Sequence, residues 1–376
     1  MRISGKGCVL EYAGKEPRDA VIGSTACARL RRIKSFGEGP GEGNILVEGD
    51  NLPVLKTLLE MKLRGRIRNN DGSAGVRLVY VDPPFSTGLR FRGKRGHAYD
   101  DRLRGAEFVE FLRRRIIFFR ELLSDDGSVY VHLDWKKAHY IKVIMDEVFG
   151  EDNFLNDIIW NYGGRGAKAG AGQFSRNHDI ILCYRKSSHI FHRNFTERRY
   201  LKGSNGFRKD EAGRWFKTAP RGDYTDESVE ALEKEGRIYR TRSGNVRIKY
   251  FLREDGDYLV EDRLVGDVWD DIPDAMHLPE AERTGYPTQK PEALLARVIK
   301  ASTHTGDIVL DAFAGAGTAL VAAEKLGRRW IGIDSGRLAA RTIRDRLAKI
   351  NHTGDIEAGS SPYLRPLSPF SFYRVD

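Results

Sequence analysis

The chain reads as an α/β protein built on a doubly wound, mostly parallel sheet, and three stretches of its 376 residues carry that reading. Val79-Tyr80-Val81 is a short β-branched and aromatic run that ends in Asp82-Pro83-Pro84-Phe85. Far downstream, residues 307–311 form a second apolar strand leading into the glycine-rich loop Ala312-Phe313-Ala314-Gly315-Ala316-Gly317. Residues 319–326 then read as a helix, and residues 329–334 as a third strand ending in Asp334. Together they make a βαβ unit, the element from which parallel sheets are wound.

Pro83 and Pro84 have no backbone N–H to donate, so the first strand must stop at Asp82 and present a rigid turn at its carboxyl end. Open α/β sheets place their chemistry there. The turn offers a carboxylate, a carbonyl and the flat face of Phe85, two acceptors and a stacking platform suited to a planar ring bearing an amino group. Taken alone, Asp-Pro-Pro is an ordinary strand-ending turn. The glycine-rich unit adds a nucleotide-binding signal, because Gly315 and Gly317 let the backbone approach a ligand and Asp334 stands where ribose hydroxyls are bound. Leu320 occupies the place of the third glycine in G-x-G-x-x-G, which disfavours a nicotinamide enzyme.

These residues resemble the β-group amino-methyltransferases of DNA, including type III modification subunits and several type II enzymes. The stretches Val47-Glu48-Gly49-Asp50-Asn51-Leu52, residues 127–134 and residues 284–291 (Thr-Gly-Tyr-Pro-Thr-Gln-Lys-Pro) extend the likeness over roughly residues 44–186 and 266–346. The resemblance implies a Rossmann-like methyltransferase sheet with circularly permuted motif order and an inserted target-recognition region. It implies S-adenosyl-L-methionine as cofactor and methyl transfer to the exocyclic nitrogen of a flipped base. Asp82, Pro83, Pro84 and Phe85 would be catalytic; Asp50, Lys290, Asp311, Phe313, Gly315, Gly317, Thr318 and Asp334 would bind the cofactor. Asp50 is also a good helix N-cap, and the two roles are compatible. Lys290 would lie against the methionine moiety. Three departures stand out: Ala312 in place of a proline, Phe85 in place of the commoner Tyr, and Ser86 in place of Asn.

Composition constrains the partners. The net charge is +10, which suits a polyanion. Residues 89–104 hold six basic and two acidic side chains, and residues 161–186 hold five basic and one acidic. A charge run is usually only a solvated face. Here both runs flank active-site strands and are punctuated by glycine, so Arg90, Arg92, Lys94, Arg95, Arg165 and Lys168 are assigned to phosphate contact. Three scattered cysteines argue for a reducing cytosol without disulfides, and nine histidines show no metal-ligand spacing, so no metal is expected. No apolar run approaches 18 residues, so no membrane partner is expected, and the N-terminus lacks a signal-peptide core.

In chain order, residues 1–43 read as an irregular basic arm, 44–186 as the catalytic half and 187–265 as an insertion. Residues 266–350 read as the cofactor half and 351–376 as a polar tail. Within the catalytic half, residues 44–48 form a strand and 52–61 a helix with leucines at 52, 55, 58 and 59. Residues 89–105 read as a mobile basic loop, 108–123 and 140–149 as helices, and 128–133, 158–160 and 180–184 as strands. The insertion is rich in arginine and aromatics, and Arg240 and Arg242 are assigned to DNA. His132, in a strand, reads as a satisfied core histidine.

The resemblance implies that Asp82 and the Pro83 carbonyl accept hydrogen bonds from the amino group, and an acid at this position favours adenine N6. Double-stranded DNA is the implied partner, with a restriction subunit or a second copy in some members, in a prokaryotic cytoplasm at the nucleoid. Alternatives stay open: N4-cytosine methylation, RNA or protein glutamine methylation (which more typically goes with Asn-Pro-Pro-Tyr), and a non-catalytic DNA-binding modification subunit. The intact Asp82, Gly315, Gly317 and Asp334 speak against the last.

Overall fold

The computed structural model describes residues 2–4, 7–37, 43–85, 90–93, 96–163, 172, 174–357 and 361–376. It divides into one compact unit made of residues 1–192 and 267–376, and another made of Arg193–Gly266.

The first unit is organised on a ten-stranded sheet. Its strands are β1 (Leu30–Phe36), β2 (Asn44–Glu48), β3 (Val76–Val81), β4 (Leu123–Leu133), β5 (Phe154–Asn161), β6 (His178–Arg185), β7 (Val268–Trp269), β8 (Ile308–Asp311), β9 (Arg329–Asp334) and β10 (Phe370–Val375). The spatial order is β7-β5-β6-β4-β3-β8-β9-β2-β10-β1. Among these strands β6 and β1 run antiparallel to their neighbours, and the remaining pairs are parallel. The sheet is the mostly parallel one that the βαβ pattern predicts. Its two halves join where β8 lies beside β3, with Val309 opposite Leu78 and Leu310 opposite Val79. Strand order reverses at this seam, the point at which open α/β sheets leave a crevice at their carboxyl ends.

β3 is buried along its whole length, as expected of a central strand covered on both faces. Its one charged residue, Arg77, is held by Asp307 (3.2 Å), Asp71 (2.5 Å) and Asp126, because a buried guanidinium must be paired. Helices α1 (Asn51–Leu63), α2 (Gly105–Leu122) and α3 (Ala138–Phe149) pack side by side. Leu55, Leu58, Leu112, Ile116, Phe119, Ile141 and Met145 enter one core cluster with β3 and β4. Helices α4 (Glu292–Ser302) and α5 (Thr318–Lys325) form a second packed pair, and α6 (Arg337–Ala348) follows β9.

Three readings are corrected. The N-terminal arm is not irregular, since it holds helix Arg18–Ser24 and the edge strand β1. The polar tail ends in β10, which inserts between β2 and β1. Phe370 and Phe372 are buried in alternation, a period-2 signal that the surrounding prolines and serines hide. The basic loop after Phe85 contains a hairpin, Arg90–Gly93 with Gly96–Asp100, whose Phe91 and Tyr99 rings stack at 4.7 Å.

The second unit is antiparallel. Strands Phe195–Leu201, Tyr258–Leu264, Val246–Asp255, Trp215–Pro220 and Arg208–Lys209 lie in that order, with Ile238–Arg240 added to Val246–Asp255. Helix Asp226–Lys234 begins at Thr225, whose hydroxyl accepts from the Ser228 N–H. Phe216, Val229, Ile248, Leu252, Leu259 and Val260 make its small core.

Candidate active site

The carboxyl ends of β3 and β8, the start of α1 and the segment 284–291 surround a cavity of about 480 Å³. Asp82, Pro83, Pro84, Phe85, Asp50, Lys290, Asp311, Phe313, Gly315, Thr318 and Asp334 all line it. Thus eleven of the twelve residues assigned to catalysis or cofactor binding converge on one crevice. The twelfth, Gly317, lies in the same loop but is committed to packing: a Cβ there would meet Ile343 Cγ1 at 2.7 Å, and its φ is +75°.

Asp82 follows β3 directly and is mostly shielded from solvent. Lys290 Nζ donates to Asp82 Oδ2 at 2.7 Å and stands 5.2 Å from the centre of the Phe85 ring. Lys290, read from sequence as a cofactor contact, lines the same cavity. Phe85 stacks on His132 at 6.2 Å with an interplanar angle of 27°. His132 is fully buried, with Nδ1 2.8 Å from Tyr80 Oη and Nε2 3.0 Å from Asp179 Oδ2. Both ring nitrogens have partners, so the imidazole is a fixed support beneath the aromatic ring, as its place in a strand suggested. The His132 hydrogen bond holds the Asp179 carboxyl below its usual range against the opposing effect of burial.

On the other side of the cavity, Gly315 has φ +49°, a backbone conformation that favours glycine. A Cβ added there would face Tyr286 Cε1 at 3.5 Å. Asp334 Oδ2 accepts from the Gly315 N–H at 2.8 Å and Oδ1 from the Gly336 N–H at 2.7 Å. Burial nevertheless raises its carboxyl to about 6. Burial also pushes Asp311 well above the ordinary carboxylate range, with Asp82 and Asp334 nearby adding to the shift. The missing third glycine has a structural counterpart. A Cβ at Gly332 on β9 would meet Leu320 Cδ1 at 2.3 Å, so the strand supplies the space that the helix residue fills.

Asp50 caps α1 by accepting from the Leu52 N–H at 3.1 Å, as predicted, and pairs with Arg115 Nη2 at 3.0 Å. Arg115 also donates to Asn51 Oδ1 and stacks 3.6 Å from the Phe111 ring centre. Asn51 Nδ2 in turn donates to the Ala312 carbonyl at 2.6 Å, tying α1 to the glycine loop. Arg115 was not found from sequence because it is one of three consecutive arginines on a helix, two of them buried, with nothing to mark the one that reaches the cavity. Thr288 was also missed. It has φ +59° in the cavity wall, and its hydroxyl lies 3.3 Å from Tyr99 Oη. A non-glycine residue held there is a strain that the surrounding structure must stabilise.

A family of DNA methylases, the N6/N4 methyltransferase type, matches residues 76–345. The chain belongs to this N6/N4 DNA methylase family. The type II methyltransferase M.EcaI of Enterobacter cloacae is 35% identical over 374 residues, covering 92% of this chain and 78% of that protein. The DNA adenine methyltransferase YhdJ of Escherichia coli K12 is 27% identical, covering 78% of this chain and 79% of its own. The chain also matches a probable type III HindVI Mod subunit of Haemophilus influenzae at 25% identity, spanning 52% of that protein. Among solved structures, the M1.HpyAVI–SAM complex aligns over 81% of this chain at 16% identity and a TM-score of 0.45.

The residues of this N6/N4 DNA methylase fit the family cofactor, S-adenosylmethionine. Gly315 opens a backbone face toward the cavity, and Asp334 and Asp50 offer carboxylates of the kind that ribose hydroxyls and an adenine amine require. The cavity volume falls in the usual range for such ligands, roughly 300–1,000 Å³. Among the described residues no cluster of metal-ligating side chains occurs, and no helix is long and apolar enough to cross a membrane.

Of the assigned DNA contacts, Arg90 and Arg92 are exposed on the hairpin. Arg240 is exposed and pairs with Glu233 at 2.9 Å, and Arg242 is exposed in the turn that follows. Lys94, Arg95, Arg165 and Lys168 lie outside the described residues.

Proposed function

We propose that this chain methylates the N6 amino group of adenine in double-stranded DNA. The observation that carries the reading is the convergence of Asp82 and the Gly315 loop on one crevice across the β3–β8 seam. When bound, S-adenosylmethionine supplies the methyl group on an electrophilic sulfonium. The obstacle lies in the nucleophile, whose lone pair is delocalised into the purine ring. The Asp82 carboxylate and the Pro83 carbonyl accept from its two N–H groups. They stabilise the positive charge that develops on nitrogen and hold it in line with the methyl. Phe85, braced by His132, gives the base a stacking face. The target must leave the duplex to reach this turn, and stacking worth about 1–3 kcal/mol offsets part of the unstacking cost.

Type II and type III relatives support a place in restriction-modification within the cytoplasm, with a restriction subunit or a second copy as partner. The adenine-methylating relative supports adenine over cytosine N4. The unit Arg193–Gly266 is the proposed target reader. Its arginines and lysines stand over aromatic rings, as Arg214 does over Phe251 at 4.0 Å and Lys209 over Trp215 at 4.9 Å. Sequencing DNA from cells with and without the gene, with modified-base detection, tests the proposal. N6-methyladenine at one recurring sequence is expected; N4-methylcytosine or no new mark would overturn it.

A further inference from the structure

The Lys290 ammonium sits on the carboxylate that the proposed mechanism gives to the substrate amine. It donates to Asp82 Oδ2 at 2.7 Å and lies 5.2 Å from the centre of the Phe85 ring, so it engages both the acceptor and the stacking platform. An N–H-bearing nitrogen on that carboxylate is what an adenine amino group would be. The two side chains are mostly shielded, with 11% and 19% of their surfaces exposed, so the contact is not a loose surface pair. The backbone of Lys290 is also anchored to the cofactor loop. Its carbonyl accepts from Thr318 Oγ1 at 3.1 Å, and Arg346 reaches Thr318 Oγ1 at 3.0 Å and the Ala316 carbonyl at 3.2 Å. Arg346 is fixed in turn by Glu292 at 2.8 Å, and Glu292 by Lys325 at 2.6 Å.

We propose that Lys290 is a placeholder for the target amine, held on Asp82 until positive charge arrives at the methyl-donor position. The inference rests on the flipped-base reading above. In-line transfer puts the sulfonium within a few ångströms of the attacking nitrogen, and therefore near the lysine that stands in its place. Two cations compete there for one carboxylate, and the flexible lysine is the one that can withdraw. The demethylated product is a neutral thioether and exerts no such repulsion, so Lys290 returns to Asp82 and helps expel the base. Base capture is thereby coupled to the presence of an unspent donor. Lys290 is a positioning residue that acts through Asp82.

The test uses the whole chain and a duplex with 2-aminopurine immediately beside the methylated adenine identified by sequencing, its fluorescence rising when that adenine leaves the stack. Three states are compared: no cofactor, sinefungin (an amine replaces the sulfonium) and S-adenosylhomocysteine. The wild type should extrude the base roughly tenfold more with the cationic ligand than with the neutral one, the scale of two unit charges about 4 Å apart in a largely screened site. Lys290→Met should extrude it similarly in all three states, and Lys290→Arg should retain the discrimination. A Lys290→Met protein that keeps the wild-type ratio would overturn the placeholder role, as would a wild type that extrudes the base equally with both ligands. Fluorescence that never rises in any protein would refute the flipped-base reading itself, and the placeholder with it.

Discussion

Replacing Asp82 with Asn removes one charge and leaves the shape of the turn intact. Asp82 is bonded to Lys290, and the Asn carbonyl can still accept from that ammonium, so the fold should persist. What changes is the field at the nucleophile. A carboxylate accepting from a nitrogen that becomes cationic makes a charge-assisted bond, roughly twice as strong as a neutral one. Loss of one preorganised electrostatic partner of this kind costs about 10²–10³ in rate, or about 2.7–4 kcal/mol. Single-turnover transfer of labelled methyl into DNA measures the chemical step, and calorimetry with the cofactor measures binding separately. The rate should fall by at least a hundredfold while cofactor affinity moves little, because Gly315, Asp334 and Asp50 are untouched. A rate within tenfold of wild type, a loss of only about 1.4 kcal/mol, would refute the role of Asp82.

Gly332→Ala drives a Cβ into Leu320, and thermal unfolding should show a loss of about 1–3 kcal/mol that Leu320→Ala partly relieves. Because burial raises Asp334 to about 6, it is a carboxylate above that pH and protonated below it. Cofactor affinity measured by calorimetry should therefore rise between pH 5 and pH 7 and flatten beyond, and Asp334→Asn should abolish the rise. Replacing Arg90, Arg92, Lys94 and Arg95 with Ala should flatten the slope of log K for DNA against log salt by up to about 0.9 for each phosphate no longer neutralised; an unchanged slope would make the run a solvated face. Arg242→Ala should either relax preference at one base position by roughly 1–3 kcal/mol or weaken binding to all sequences. No effect on either would remove it from the DNA surface.

The central strands and the glycine loop were legible because their signals are local. A β-branched run halted by two prolines, and two apolar strands separated by a glycine turn, need no partner to be recognised. The crevice composed of Asp82, Phe85, Gly315 and Asp334 followed from motif order. The edges were not legible. β10 is six residues long and shows its alternation only once β2 and β1 flank it. The Lys290–Asp82 contact joins residues 208 positions apart, and nothing in either segment announces the other. The inward turn of Arg115 depends on how α2 packs, which composition cannot reveal.

The seam between β3 and β8 also governs how the chain comes into being. Arg77 and Asp307, bonded across it, are 230 residues apart. At a synthesis rate of about 5–20 residues per second, the largely apolar edge of β3 waits roughly 10 to 50 s for its neighbour to leave the ribosome. During that interval an unpaired parallel strand is a template for any other extended chain. The N-terminal half expressed alone should accumulate as aggregate and respond strongly to chaperone supply. Permuting the gene so that β8 and β9 are made first would shorten the wait and raise the soluble yield.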